Sequence, residues 1–214
     1  MNVLVQNAGA FADGFRVTLA LTLASFAGAL AIGTVIASMR VSPVGPLRAA
    51  GTLYVETVRN IPLLVLMFLF YFGLTKIGIR YSPFPGAVIV LAAYTGSFVA
   101  EAIRSGVNTV ARGQAEAARA IGLTFPQSLR LVVLPQALRA VVAPLGNLFV
   151  ALVKNTALAS TIAVMELGFH YQDLISKTAQ PVPILFGTAV CYLALALAGG
   201  WIFSVIERKV AIKR

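Results

Sequence analysis

The groups able to do chemistry in this chain are few and scattered. There is one histidine, His170, one cysteine, Cys191, and seven acids: Asp13, Glu56, Glu101, Glu116, Glu166, Asp173 and Glu207. No Ser-His-Asp set and no convergent pair of carboxylates can be assembled from them. Glu166 and His170 stand at i,i+4, a spacing two metal ligands on a helix would use. A third ligand is lacking nearby, so His170 reads as a surface histidine and no metal site is expected. Cys191 is alone in an apolar run, which leaves packing as its role. No G-x-x-x-x-G-K-[ST] occurs, so any ATP must be hydrolysed elsewhere. What remains are charges within or beside apolar runs, which are functional candidates by default. Arg59 and Asn60 precede Pro62, where a helix start would leave N–H groups free for an anion; membrane anchoring of Arg59 is the simpler reading. Glu101 with Arg104 at i+3 reads either as part of a solute path or as an interfacial ion pair. Lys154 and Asn155 come late in an apolar run and make a third candidate for such a path.

The elements that must position these groups are helices in lipid. Hydrophobic residues make up 59 % of the 214 residues, charged residues only 11 %, and the mean hydropathy is +0.89. A soluble domain averages about 45–50 % apolar and about 25 % charged. Val17 to Met39 is uncharged and exceeds the roughly 20 residues that cross a bilayer. Its Gly28 and Gly33 would admit a close neighbouring helix. Residues 1–15 hold no Lys or Arg, and this run is too long for a signal core, so no cleavable signal is expected. Further spans are expected at about 53–75, 84–104, 138–158 and 181–206. Residues 159–180, with Glu166, His170, Asp173 and Lys177, suit a short helix lying on or dipping into the membrane. The chain is thus expected to be one all-α integral membrane domain, 1–214, of five transmembrane helices.

Net charge is +10. The basic residues sit at span ends rather than along one face, so nucleic acid is not the expected partner. With five spans, twelve Lys and Arg fall on one side: Arg40, Arg48, Arg59, Arg104, Arg112, Arg119, Arg130, Arg139 and the tail residues Arg208, Lys209, Lys213 and Arg214. Arg16, Lys76, Arg80, Lys154 and Lys177 fall on the other. The positive-inside rule makes the first side cytoplasmic, with the N-terminus outside.

The loop at about 105–139 is the one long interruption of this oily sequence, and its polar part is Arg112 to Arg139. Ala111 to Ile121 reads as an alanine-rich helix ending at Gly122, a residue suited to the left-handed position past a helix end. Thr124-Phe125-Pro126-Gln127 reads as a new start, with Thr124 as cap and Gln127 completing a capping box. Two short helices meet at a sharp corner. Glu116 would suit a basic or N–H partner, and the small Ala117 and Ala118 a tight groove.

Glu116-Ala117-Ala118, three residues, Gly122, nine residues, Val132-Val133-Leu134-Pro135 resembles the EAA loop of permease subunits of ATP-binding-cassette importers. Valine at 132 replaces a frequent isoleucine. The flanks Gly113-Gln114, Gln136-Ala137-Leu138-Arg139, Lys154 to Ser160 and Arg59 to Val65 are similar to the polar amino-acid branch. The resemblance implies a type I importer fold and a cytosolic two-helix coupling loop in which Glu116, Ala117, Ala118, Gly122, Leu134 and Pro135 meet an ATPase. It implies two ATP-binding subunits that hold ATP and Mg, a second permease chain, an extracellular or periplasmic amino-acid-binding protein, and a prokaryotic plasma membrane. Glutamate, aspartate or glutamine is the implied cargo. The rival is a stand-alone secondary transporter or channel for small polar solutes, against which the odd span number and lack of an internal repeat argue.

Overall fold

The computed structural model describes residues 2–210, with the side chains of Asn2, Arg112, Ala115, Phe125, Pro126 and Leu129 outside the description. Lys213 and Arg214, counted in the basic tail, lie outside the described residues. In chain order the helices are α1 (Asn2–Gln6), α2 (Ala8–Val41), α3 (Gly45–Asn60), α4 (Leu63–Lys76), α5 (Pro83–Asn108), α6 (Arg112–Ala120), α7 (Phe125–Ser128), α8 (Leu134–Asn155), α9 (Leu167–Thr178) and α10 (Pro181–Val210). A π-helical segment, Leu129–Val133, joins α7 to α8, and a 3₁₀ segment, Thr156–Ile162, follows α8. No strand occurs among the described residues. Helices close their own backbone hydrogen bonds, as a chain in hydrocarbon must.

The central pair is α2 and α5, brought together by small residues. Gly28 faces the Cβ of Ala92, and a Cβ on Gly33 would come within 2.9 Å of the Gly96 carbonyl and press on Val99. The close approach expected at Gly28 and Gly33 is therefore present. Gly106 admits Val141 of α8, and Gly146 and Gly199 seat Phe203 and Phe149 between α8 and α10. Phe26, Phe149 and Phe203 close this core with ring centroids 5.1–5.8 Å apart. By length and composition α2, α5, the stretch Arg130–Ile162 and α10 can each cross a membrane; α3 with α4 makes a fifth only as a bent pair.

That bend corrects the expected continuous span at 53–75. α3 and α4 meet at 101° across Ile61 and Pro62. Pro62 drives Ile61 into the extended region (φ −91°, ψ 130°) and then caps α4, whose Val65 and Leu66 N–H groups bond the Pro62 carbonyl. α4 has 14 residues, a length of about 21 Å, too short to span about 30 Å of hydrocarbon alone. α3 lies across α2 and α5 instead: Val55 packs with Ala37 and Ala100, and the Tyr54 hydroxyl donates to the Ala93 carbonyl at 2.7 Å. Glu56 and Arg59 thus belong to a crossing helix, not to the first turns of a straight span.

The expected short helix in 159–180 is α9, and the loop before it holds a surprise. Glu166 is fully buried. It accepts from the Tyr192 hydroxyl on α10, the Thr18 hydroxyl on α2 (3.5 Å) and the Phe169 N–H (3.0 Å), while Leu167 N–H donates to Thr18 (3.1 Å). One carboxylate therefore ties three elements. The lone histidine, His170, is half-buried beside Gly14, and no cluster fit for a metal occurs among the described residues. Glu166→Leu should strand these donors, each orphaned group costing about 1–3 kcal/mol. The detergent-solubilised variant should melt well below wild type, and Glu166→Gln, which keeps an acceptor oxygen, should lose less. Equal melting points for the leucine variant and wild type would contradict this.

Candidate functional site

Two constructions stand out, an elbow between α5 and α8 and an ionic cluster on α2, α3 and α5. The elbow begins where α6 ends. Gly122 takes φ +87°, its N–H donates to the Arg119 carbonyl (3.0 Å), and Leu123 N–H donates to the Ala118 carbonyl (3.1 Å). This closes the helix end in the manner a left-handed residue permits. Nothing lies within 4 Å of a Cβ added at Gly122, so the requirement is one of backbone, not of space. The second helix starts as the sequence suggests, though only half of the capping box forms. Gln127 Oε1 accepts from both the Thr124 N–H (2.8 Å) and the Thr124 hydroxyl (2.9 Å), and Ser128 N–H bonds the Thr124 carbonyl. The irregular excursion is shorter than the expected 105–139, because α5 runs on to Asn108 and α8 begins at Leu134.

Glu116, Ala117 and Gly122 are exposed on the elbow, as a docking surface needs. Ala118 is the exception. It is 4 % exposed, in a helix that packs on α7 and the π segment, so it holds the elbow together and its methyl is not open to a partner's groove. Leu134 is 39 % exposed at the start of α8, and Pro135 beside it is half-buried.

The second construction is centred on Glu101. Its Oε1 meets Arg104 Nη2 at 2.5 Å, its Oε2 meets Arg40 Nη1 at 2.5 Å, and Arg59 Nη1 stands 3.9 Å from Oε2. The Arg40 side chain is only 8 % exposed, and its Nε is buried without a partner among the described residues. Arg59 is the most open of the three, at 36 %, and its guanidinium lies over the Phe98 ring, 4.9 Å from the centroid. Three guanidiniums around one carboxylate leave a surplus of two positive charges between the crossing helix and the central pair.

Of the sequence candidates, Arg59 and Glu101 come together. Asn60 stays exposed and donates to the Glu56 carbonyl (2.6 Å), closing its own helix. Lys154 and Asn155 finish α8 at the end away from the elbow, and no hydrogen bond or ion pair among the described residues joins them to Glu101. Sequence reasoning paired Glu101 only with Arg104 and missed Arg40. The signal was its position, the last charge of α2, but its contact with Glu101 spans 61 residues.

The comparisons agree with this architecture. Residues 29–212 match the family described as the binding-protein-dependent transport system inner membrane component. The chain is 42 % identical over 213 residues to a glutamate transport system permease protein of Corynebacterium glutamicum, covering 94 % of this chain and 93 % of that one. It is 39 % identical over 197 residues to a probable glutamine ABC transporter permease protein of Bacillus subtilis, covering 92 % and 91 %. Among solved structures, a chain of an amino acid ABC transporter crystallised with histidines superposes with a TM-score of 0.91 at 32 % identity over 96 % of both. An inward-facing methionine transporter shares the fold, with a TM-score of 0.82 at 23 % identity. The chain belongs to the inner-membrane components of binding-protein-dependent transport systems, the permeases of ATP-binding-cassette importers.

Proposed function

We propose that this chain is the translocation subunit of an importer for acidic amino acids or their amides, with glutamate, aspartate and glutamine as the cargo class. The observation that carries the reading is the elbow: a corner locked at Gly122 and joined end to end to α5 and α8. Movement of a partner seated on it is passed into α5, one of the central pair, and into α8, which packs against α5 and α10. ATP, with Mg, is bound and hydrolysed in a partner dimer seated on the cytosolic side. A second permease chain completes the pore, and an amino-acid-binding protein delivers substrate outside. Closure of the ATPases draws the elbows together and opens the bundle outward; hydrolysis resets it. The excess of Lys and Arg on the elbow's side supports a cytoplasmic elbow and an outside N-terminus.

Within the bundle, Arg59 is the group we assign to the substrate carboxylate, with Glu101 and Phe98 fixing its guanidinium. The surplus of positive charge there favours an anion. Asn60, Lys154 and Asn155 line the remainder of the path in this reading. The names of the relatives, two of which handle glutamate and glutamine, point to the same cargo.

The test is ATP-driven uptake in proteoliposomes holding the permease, its ATPase and its binding protein. Labelled glutamate, aspartate and glutamine should each compete, and uptake should stop when ATP is withheld. Uptake surviving without ATP would favour a secondary transporter or channel, and indifference to all three amino acids would remove the cargo assignment.

A further inference from the structure

Between the elbow and α8 lies a feature that neither the family match nor the relatives' names address. Leu129–Val133 is π-helical, with bonds reaching back five residues instead of four. At such a changeover one main-chain carbonyl is skipped. The deficit is greater here because Pro135 stands one residue into α8 and has no N–H to give. The carbonyls that a Pro135 N–H would have served are those of Leu131 or Arg130; one residue on, the side-chain amide of Gln136 ties α8 to the π segment, its Nε2 donating to the Val132 carbonyl at 2.9 Å. At the other edge of the segment, Ser128 is 4 % exposed and its hydroxyl is buried without a partner among the described residues. The two ends of this stretch thus differ, one stitched by a side chain and one left open.

We propose that Pro135 and Gln136 build a π-turn joint between the elbow and α8, and that Gln136 is the positioning residue that sets its register. The inference rests on the reading of the elbow as the coupling element. A π turn carries one residue more than an α turn. Its conversion to α would therefore rotate everything beyond it by about 100° about the helix axis. A rigid elbow on such a joint needs its register held, or motor motion is lost in twisting. Gln136 does this from inside the joint, through its bond to the Val132 carbonyl. Leu134-Pro135-Gln136 accordingly acts as hinge chemistry, where the resemblance offered a docking motif for Leu134 and Pro135.

The experiment uses the whole transporter in proteoliposomes and reads amino acid transported per ATP hydrolysed. Gln136→Met and Gln136→Glu keep the length of the side chain and remove its N–H donors. Both should lower that ratio at least fivefold while the complex still assembles and hydrolyses ATP. Gln136→Arg, which restores a donor, should return it to within twofold of wild type. Spin labels on Ala120→Cys and Leu138→Cys, in a Cys191→Ser background, should give one narrow distance in the wild type and a broadened or shifted one in the methionine variant. A wild-type ratio in both donor-less variants overturns the joint, as does equal loss in the arginine variant, which bulk alone would explain. Gly122→Leu run alongside separates the two readings. If it transports normally the coupling assignment itself falls, whereas a dead Gly122→Leu beside normal Gln136 variants sinks only the joint.

Discussion

Gly122→Leu should reach the membrane in normal amount and transport nothing measurable. Gly122 sits at φ +87°, where an ordinary L-residue costs about 1–2 kcal/mol, and there is open space for the side chain. The substitution therefore leaves the bundle intact and acts on the corner alone. The least costly relief is for α6 to end differently, giving up the Leu123-to-Ala118 and Gly122-to-Arg119 bonds that aim it relative to α7. A motor pulling on a misaimed elbow moves nothing. Substrate-stimulated ATP hydrolysis should vanish with uptake. Gly122→Asn, which tolerates the left-handed region, should keep a substantial fraction of both. Glu116→Lys tests the same surface without touching its shape. Its carboxylate is exposed, and reversing the charge opposite a basic or N–H-rich groove should weaken docking by several kcal/mol, enough to reduce uptake at least a hundredfold. Normal transport by Gly122→Leu would end the coupling role of the elbow, whatever the charge variant did.

Much of this elbow was legible because its rules are local. A glycine after an alanine-rich helix, then threonine with glutamine three residues on, names two helix ends through contacts of three to five residues. The first span was legible for a similar reason, since its length and its glycines Gly28 and Gly33 are properties of one segment. What was not legible depends on distant partners. Glu166 reads as one polar residue in a mixed stretch; only Thr18, 148 residues earlier, and Tyr192, 26 later, make it a buried tie. The broken second span failed differently. The uncharged run from Asn60 to Thr75 is only 16 residues, short of the roughly 20 a span needs, so the expected span reaches back past Arg59 and Glu56 to about Leu53, and Pro62 is compatible with a kink, a cap or a full break. The choice was made by the crossing of α3 over α2 and α5, where Val55 finds Ala37 and Ala100 and Arg59 finds Glu101. Ala118 shows the reverse error. Small residues in a loop read as a surface for others, yet this one is used up within its own elbow.

Removing the carboxylate at the centre of the cluster should have the other large effect. In Glu101→Gln, Arg40 keeps its place between α2 and α5 at 8 % exposure and loses the charge that balances it. Breaking such a buried pair costs about 3–5 kcal/mol, and the lower end applies here because Glu101 is 28 % exposed. Both the melting point and uptake should fall, uptake by at least tenfold. A second substitution tells structure from transport. Arg40→Met in the Glu101→Gln background takes away the stranded charge and should recover most of the melting point, since apolar replacement of a buried ion pair is often neutral. Uptake should stay low, because Arg59 has still lost the carboxylate that orients it under our reading. Arg59→Lys alone should then melt like wild type and yet raise KM. Its ammonium keeps the charge but gives up the planar fork that a substrate carboxylate and Glu101 would share over Phe98. Recovery of uptake together with melting point in the double variant would reduce the cluster to a structural clamp, and an unchanged KM in Arg59→Lys would remove Arg59 from the substrate path.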